Sequence, residues 1–588
     1  MKIKKIWLLY FVGVVLAVIC VRNVHLAVNE LSATYDEPFH ITAGYTILKT
    51  GDYAYQAIWH PPLAEMIEAL PLALLSRDKK PILETTHPAY LAKRNYEMAD
   101  WFFHNNRIPP EDILHQARWA LFIVCFPLLG LFLYKFSEEI EPGSGIWAII
   151  LLLIEPNLIA HSSLATTDFA ASVFYVASFY ALWRYLRSPT PVLAGFCGAM
   201  WALSFLSKYS NLTACFGLVF LLILERKRIF KDPRIFTMLP WAFLGLAACF
   251  LIVYQFKFPG YYIEGVEYMF KQTERGRSSF FMGEYANRGW IMYFPVLFLI
   301  KTNIIHIVLA ILGISMLMKN AIKTDQYTAI YFLLLVPFVH FVFACSSSVQ
   351  IGLRYILPVY PFAILLGSIG ISKVLGTLSA QIRNSKSMNF GRASKKAQVK
   401  AKLAPSLGQD AILIVLLFGI FSCYKVSPWF VAYFNEFIGG PKNSYKYFTD
   451  SNNDWGQGLK ALGEYLEKEG VGSIYLSYFG VGDPAYYGIK YIPIGMISNT
   501  KRHGNPEADP TGEKKVYLAV SATNIQSTYY ADREIFKWLN DVTPEVFLGY
   551  SILLYDITEN SLSRKKLGAV LEKLGRREQA RKLREGIE

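Results

Sequence analysis

The feature that most limits this chain is a series of apolar runs, each about 20 residues long, recurring through its first 424 positions. A soluble domain has no interior deep enough to bury so many, whereas a bilayer has. Ile6 to Val21, behind Lys2, Lys4 and Lys5, lacks a small-residue cleavage site and reads as an uncleaved first helix. Further spans are expected near 116–134, 146–160, 169–186, 192–207, 210–224, 236–255, 291–317, 328–344, 355–374 and 410–424. Eleven spans put the two chain ends on opposite sides of the membrane.

The formal charge of +14 would suit nucleic acid only if it formed a stripe on a soluble domain. Instead Lys and Arg gather in short segments between apolar runs, the positive-inside pattern, so membrane lipids and not nucleic acid are the expected partners. Arg184 and Arg187, the run Arg226-Lys227-Arg228 with Lys231 and Arg234, Lys319 and Lys323, and Lys373 to Lys402 all fall on the cytoplasmic side of the eleven-span scheme. The last of these, a loop over about 375–408, has like charges and few apolar residues, so it is expected to be disordered against anionic headgroups. Seven cysteines without a CxxC pair signal neither a disulfide framework nor a zinc site.

Three regions remain outside. A first loop over about 23–115 is far longer than an ordinary connection, and His60-Pro61-Pro62-Leu63 opens an amphipathic pattern expected to be an interfacial helix. A second loop runs from Phe256 to Arg288. Beyond about 425, β-rich stretches (Ser473 to Tyr478, Val516 to Val520, Ser551 to Tyr555) alternate with helical ones (Gly458 to Glu469, Ala531 to Leu539), which predicts a small α/β domain over 425–560. Residues 561–588 predict a helix-turn-helix of tetratricopeptide type that could bind a partner. The membrane domain occupies 1–424, and the fold class is mainly α, polytopic, with this α/β domain and hairpin appended.

Chemistry concentrates in Asp36-Glu37-Pro38-Phe39-His40, just beyond the first span. Asp36 could cap a helix with Pro38 in its first turn. His40 shares its face at i+4 and His60 follows in the same loop. Apolar surroundings should push such a carboxyl's pKa upward, which suits a general base. Thr166-Thr167-Asp168 opens the fourth span on the same side, where a carboxylate is costly and a plain N-cap is the competing reading. Three cations complement these acids: Lys208 in the turn between the fifth and sixth spans, Lys301 deep in an apolar run, and Arg354 flanking the tenth span. Arg354 has the fork suited to phosphate oxygens. Asp36, His40, His60, His161 and Asp168 are types that could ligate a divalent ion, which stays open. Asp450-Ser451-Asn452-Asn453-Asp454 begins like a calcium loop, but Trp455 stands where Gly is required and Ala461 where a Glu is needed.

Taken in order, Asp36-Glu37-Pro38, His60-Pro61-Pro62-Leu63, Thr167-Asp168, Gly283-Glu284-Tyr285 with Tyr293-Phe294-Pro295, Lys301-Thr302 and Gly352-Leu353-Arg354-Tyr355 resemble the landmarks of GT-C glycosyltransferases. The set is most like the phospholipid-carrier-dependent enzymes of glycosyltransferase family 39, related to protein O-mannosyltransferases and to the lipid A aminoarabinose transferase. The resemblance implies inverting transfer from a polyprenyl-phosphate-sugar donor to a protein, lipid or glycan acceptor, on the extracytoplasmic face of the inner (plasma) membrane. It implies catalytic roles for Asp36 and Glu37, and substrate contacts from His40, His60, Asp168, Lys208, Lys301, Arg354 and Tyr355, with Arg354 and Lys301 on the leaving phosphate. The loop Phe256 to Arg288 is too short for the β-trefoil of the mannosyltransferases proper, so acceptor recognition is not carried over. A transporter would need ionisable groups near helix midpoints and inverted repeats; no internal repeat is found, and most of the candidate residues lie toward one face. An envelope assembly protein would leave the carboxylate-rich first loop without a purpose.

Overall fold

The computed structural model describes residues 2–53, 59–74, 80–257, 260–324, 327–387, 395–495, 505 and 508–585. Each expected apolar run is helical, but not all are full spans. Among the described residues, six helices have the length and composition to cross a membrane: Trp7–Glu30, Pro110–Ile140, Arg234–Val253, Ile304–Ile322, Thr328–Ser346 and Leu353–Ala380. Pro191–Ser207, Tyr209–Leu224 and Asp410–Tyr424 are shorter apolar helices, and Thr167–Arg187 is buried along almost its whole length.

The count falls below eleven because several apolar helices are short, and because polar residues interrupt two of the expected runs. Gly145–Leu152 and Pro156–Ser162 form a pair bent by 70°, with Glu155 capping the second half through Asn157 N. The run expected over 291–317 divides into Tyr293–Lys301 and Ile304–Thr324. The two interruptions meet. Asn303 Nδ2 donates to Ile154 O at 3.3 Å, the His306 ring nitrogen Nε2 lies 3.0 Å from Leu151 O, and its Nδ1 lies 3.3 Å from Glu155. A broken apolar helix frees backbone carbonyls that no water can reach, and the neighbouring break supplies the donors.

The basic segment is not the disordered loop expected over 375–408. Helices continue to Ser387 and resume at Lys395, and residues 388–394 lie outside the described residues.

The first loop folds into helices Glu37–Thr50, Leu63–Leu74, Pro88–Leu91 and Asn95–His104. Pro61 and Pro62 precede the second of these as expected, yet its buried face carries Glu65 and Glu68 together with Ala64, Ala69 and Leu72. Close approach is possible because Gly44 has no side chain: a Cβ there would collide with the Glu65 carbonyl. Neither carboxyl oxygen of the fully buried Glu68 has a hydrogen-bond partner among the described residues. Burial, then the neighbouring Glu65, Glu37 and Asp168 charges, raise its pKa well above the usual value. A raised folded-state pKa means the folded protein holds this proton more tightly, so its contribution to stability is full at acid pH and is lost as pH rises toward the folded value. Glu68→Gln, which mimics the protonated acid, is expected to unfold at neutral pH no more easily than wild type and to flatten the fall in stability that begins as pH rises above the ordinary carboxyl range. Thermal unfolding across pH reads both.

The second loop contains helix Gly260–Arg275 and a hairpin of β1 (Ser279–Phe281) and β2 (Glu284–Ala286). The C-terminal domain is built on β3 (Ile474–Ser477), β4 (Tyr491–Pro493), β5 (Tyr517–Ser521), β6 (Val546–Leu548) and β7 (Ile552–Asp556), in sheet order β4-β3-β5-β7-β6. The β4-β3-β5 pairings are parallel and the other two antiparallel. Three strands match the expected ones, as does helix Leu459–Glu469. The helix expected over Ala531 to Leu539 is a 3₁₀ turn, Lys537–Asp541. The terminal hairpin is present as Ser561–Lys573 and Arg577–Glu585. Its Leu567, Val570, Leu571, Ala580 and Leu583 pack in one cluster with Leu518, Val520, Leu553 and Tyr555 of the sheet, so its apolar face is taken up within the domain.

Candidate active site

Helix Glu37–Thr50 begins at Asp36, but the Asp36 side chain makes no capping bond. It turns to Arg354, whose Nη1 lies 2.5 Å from Asp36 Oδ2. Arg354 stands in a short 3₁₀ helix, Leu353–Val359, ahead of Tyr360–Ser387. Gly352 lets this turn approach Ser451, whose Oγ would clash with a Cβ there. The guanidinium lies 4.6 Å from the Trp455 ring centroid and 5.8 Å from that of Tyr355. Its Nε, buried, has no acceptor among the described residues.

A second ion pair stands beside the first. Asp168, in the first turn of Thr167–Arg187, pairs with Lys208, which follows helix Pro191–Ser207. Lys208 Nζ lies 5.1 Å from the centroid of the Tyr355 ring. Both cations therefore sit within 6 Å of one ring centroid. The buried His161 Nδ1 and Thr166 Oγ1 have no hydrogen-bond partner among the described residues, and the His161 ring is 6.1 Å from Trp455.

On the other flank His40 Nδ1 lies 3.0 Å from Glu65 Oε1 and the His40 and His60 ring centroids are 4.8 Å apart. Burial, then the His40 and Lys208 charges, hold His60 well below the usual histidine pKa, which keeps it neutral. Among the described residues no three of His, Cys, Asp and Glu form a group able to hold a metal ion.

The expectation that Asp36 has a raised pKa is reversed. Burial does push it up, but the Arg354 charge, then His40, the Arg354 hydrogen bond and Arg277 outweigh that and hold the carboxyl below its usual value. A carboxylate 2.5 Å from a guanidinium is a weak base while that contact lasts.

Glu37 stands apart from this group, although it is the next residue. Its oxygens accept from Arg118 Nε at 2.8 Å and Nη2 at 2.7 Å, from Ala165 N at 2.8 Å, and from Thr34 N at 2.8 Å and Oγ1 at 3.0 Å. Arg118 spends its remaining N–H groups on the carbonyls of Val28, Leu31 and Ser32. Lys301 is not brought to the site either. Its Nζ donates to the carbonyls of Val431 at 2.7 Å, Tyr433 at 3.0 Å and Asn452. An ammonium has three N–H donors, so none is left for a phosphate.

The segment Asp450 to Leu459 binds the membrane helices to the C-terminal domain. Tyr35 N donates to Trp455 O at 2.9 Å, Ser32 Oγ to Gly456 O at 2.9 Å, and Leu353 N to Asn452 Oδ1 at 3.0 Å. The residues on either side of the Asp36–Arg354 pair are thus held by one segment. Asp454, the last acid of the rejected calcium pattern, accepts from Thr523 N at 2.8 Å. Asp450 accepts from Tyr529 Oη and lies near Arg277 of the second loop, whose guanidinium is 5.7 Å from the Tyr529 ring. Arg277, Tyr529 and Arg118 were not singled out from sequence, and Asp450 and Trp455 were weighed there only for a calcium loop. Arg118, an arginine at the start of an apolar run, was the one with a readable signal.

Residues 113–254 match the dolichyl-phosphate-mannose-protein mannosyltransferase family. The matched stretch includes Arg118, Asp168 and Lys208, and ends before Lys301 and Arg354. No individual curated protein matches the chain. Among solved structures it is similar to ArnT from Cupriavidus metallidurans, in the apo state and bound to undecaprenyl phosphate. Both show 11% identity over 92% of this chain and 97% of that chain, with a TM-score of 0.44. It is also similar to the oligosaccharyltransferase AglB from Archaeoglobus fulgidus, at 11% identity over 87% of this chain and 62% of that chain, with a TM-score of 0.40. Likeness at this level carries nothing about the site. The mannosyltransferase match covers one side of it, the side of the Asp168–Lys208 pair.

Proposed function

We propose that the chain is an integral-membrane glycosyltransferase that moves a sugar from a polyprenyl-phosphate donor to a hydroxyl of a protein, lipid or glycan acceptor. The transfer inverts the anomeric centre, at the extracytoplasmic face of the inner membrane. One observation carries this reading: Arg354 and Lys208 each lie within 6 Å of the Tyr355 ring centroid, each paired with a carboxylate, and the guanidinium keeps an N–H without an acceptor. That arrangement suits a phosphate oxygen cluster next to a base. The match of residues 113–254 to mannosyltransferases that use a lipid-linked phosphate donor supports it.

In this reading Asp36 accepts the proton of the acceptor hydroxyl as its oxygen attacks the anomeric carbon. The bond from that carbon to the phosphate oxygen breaks, and the polyprenyl phosphate leaves with the bonding electron pair. Arg354 and Lys208 meet the negative charge as it develops on that oxygen, in a site shielded from water where such stabilisation is strong. Lys208 takes the place that the sequence resemblance suggested for Lys301. Glu37 holds the turn that presents Asp36 and is not a second base. His40 and His60 line the pocket as neutral or carboxylate-bound rings.

Arg354→Ala is expected to raise the KM for the lipid-linked donor by about ten- to a hundredfold, since a hydrogen bond to a charged group is worth about 1.5–3 kcal/mol. The assay follows radiolabelled sugar leaving a polyprenyl-phosphate carrier, resolved by thin-layer chromatography in membranes with and without the protein. Donor saturation at the wild-type concentration would remove Arg354 from phosphate binding, and no protein-dependent loss of label from the carrier would remove the transferase reading.

A further inference from the structure

Two kinds of carboxylate stand side by side in this protein. Glu37 is fixed by five hydrogen bonds from Arg118, Ala165 and Thr34. Asp36 and Asp168 are held differently: among the described residues the Asp36 side chain bonds Arg354 alone and the Asp168 side chain bonds Lys208 alone. Neither is committed to a helix cap, because the Asp36 side chain makes no cap bond and Asp168 lies inside the first turn, after Thr166 at the cap position. Each can leave its cation without stranding a backbone donor.

We propose that Asp36 and Asp168 occupy, in the resting protein, the cations that receive the donor's phosphate, so that donor entry displaces them and thereby frees Asp36 to act as the base. This rests on the transferase reading above and adds an order to it: donor first, acceptor second. The exchange is favoured by geometry. Arg354 and Lys208 both border the Tyr355 ring, and in the proposed exchange the anionic oxygens of one phosphate serve both cations, whereas each carboxylate serves only one. Arg354 Nε, without an acceptor, gains one. The two pairs are neutral together, and the groups around Asp36 include further positive charge from Arg277, opposed by Asp450, with His40 and His60 beside them.

The chemical consequence is a base that is quiet until it is needed. While Arg354 is in contact, the Asp36 carboxylate is too well stabilised to take a proton from a hydroxyl. Once the phosphate holds Arg354, Asp36 loses its strongest stabilising contact and its proton affinity rises, beside the anomeric carbon that the acceptor must reach. An acceptor arriving first would find no free base.

The test measures binding of undecaprenyl phosphate to the full-length protein in nanodiscs, with undecaprenol as the uncharged control. Wild type is compared with Asp36→Asn, Asp168→Asn and the double variant Asp36→Asn with Arg354→Ala, each checked for an unchanged thermal unfolding midpoint. If the carboxylates compete with phosphate, Asp36→Asn binds undecaprenyl phosphate about tenfold more tightly than wild type, Asp168→Asn changes in the same direction, and the double variant loses the gain. Undecaprenol binding stays at the wild-type level in all. Equal or weaker binding of the lipid phosphate by both single Asn variants, or an equal gain for undecaprenol, overturns the displacement. Failure of wild type and both Asn variants to bind the lipid phosphate at all overturns the transferase reading instead. Should Asp36→Asn not fold, Asp168→Asn decides the same question from the other ion pair.

Discussion

Asp36→Asn is expected to lower sugar transfer by at least about a hundredfold while insertion and folding are retained, because a positioned general base contributes about 10²–10⁴ to rate. The amide is close in shape to the carboxylate and can still accept from Arg354 Nη1 through its oxygen, so the turn that carries it has no reason to collapse. What it cannot do is take a proton. The loss should appear in kcat, with donor binding kept or improved, a combination that a merely misfolded variant does not produce. The measurement is release of labelled sugar from a polyprenyl-phosphate carrier under saturating donor. Transfer at the wild-type rate would take Asp36 out of the mechanism.

Arg118→Ala should have the largest effect on the fold. The Arg118–Glu37 pair is fully buried on both sides, and its guanidinium also binds the carbonyls of Val28, Leu31 and Ser32, at the end of the first helix. Removing it leaves a charged Glu37 and three carbonyls without their donor. Breaking a buried pair from one side costs about 3–5 kcal/mol, a large share of the stability of an ordinary domain. Glu37 is held below the usual carboxyl range: burial raises it, and the Arg118 charge with the Arg118, Thr34 and Ala165 hydrogen bonds more than reverses this. Its contribution is therefore present above the unfolded-state pKa and lost as pH falls through the folded value. Arg118→Ala is expected to lower the unfolding temperature by several degrees at pH 7. Glu37→Gln should fall between wild type and Arg118→Ala. A wild-type midpoint for Arg118→Ala would show that the pair adds no net stability.

The class of the protein was legible because its signal is local. A run of about 20 apolar residues declares a helix for lipid whatever surrounds it, and every expected run is helical. Three of the domain's strands and its first helix were legible for the same reason, since alternation and helical spacing are properties of short windows. Interruptions inside apolar runs were harder to see. Glu155 and Asn303 are polar residues in long apolar stretches, and only contacts between the two breaks explain why both are tolerated: Asn303 donates to Ile154 O and His306 lies beside Glu155. The strands Tyr491–Pro493 and Val546–Leu548 are three residues long, too short to carry a pattern.

Within the candidate site, the residue types and their neighbourhood were readable, but the partners were not. Asp36 and Glu37 look alike in sequence, yet one meets Arg354 across 318 positions and the other meets Arg118 across 81. Lys208 and Lys301 are both lysines near apolar runs, yet one faces Asp168 and the other three backbone carbonyls. The direction of the Asp36 shift was misjudged for the same reason: desolvation can be anticipated from an apolar context, but a guanidinium 2.5 Å away cannot.

The sequence by itself determined that this chain lives in a membrane, that acids and bases gather beyond its first span, and that a small α/β domain follows the last. Those conclusions rest on hydropathy and periodicity, which neighbouring residues express together. Tertiary structure alone decided which cation each carboxylate meets, which lysine is spent on backbone carbonyls, and that the segment Asp450 to Leu459 bonds the residues beside both Asp36 and Arg354. Each of those depends on a contact between residues far apart in the chain. In a buried site of low dielectric, the identity of the nearest opposite charge settles what a carboxylate or an ammonium can do.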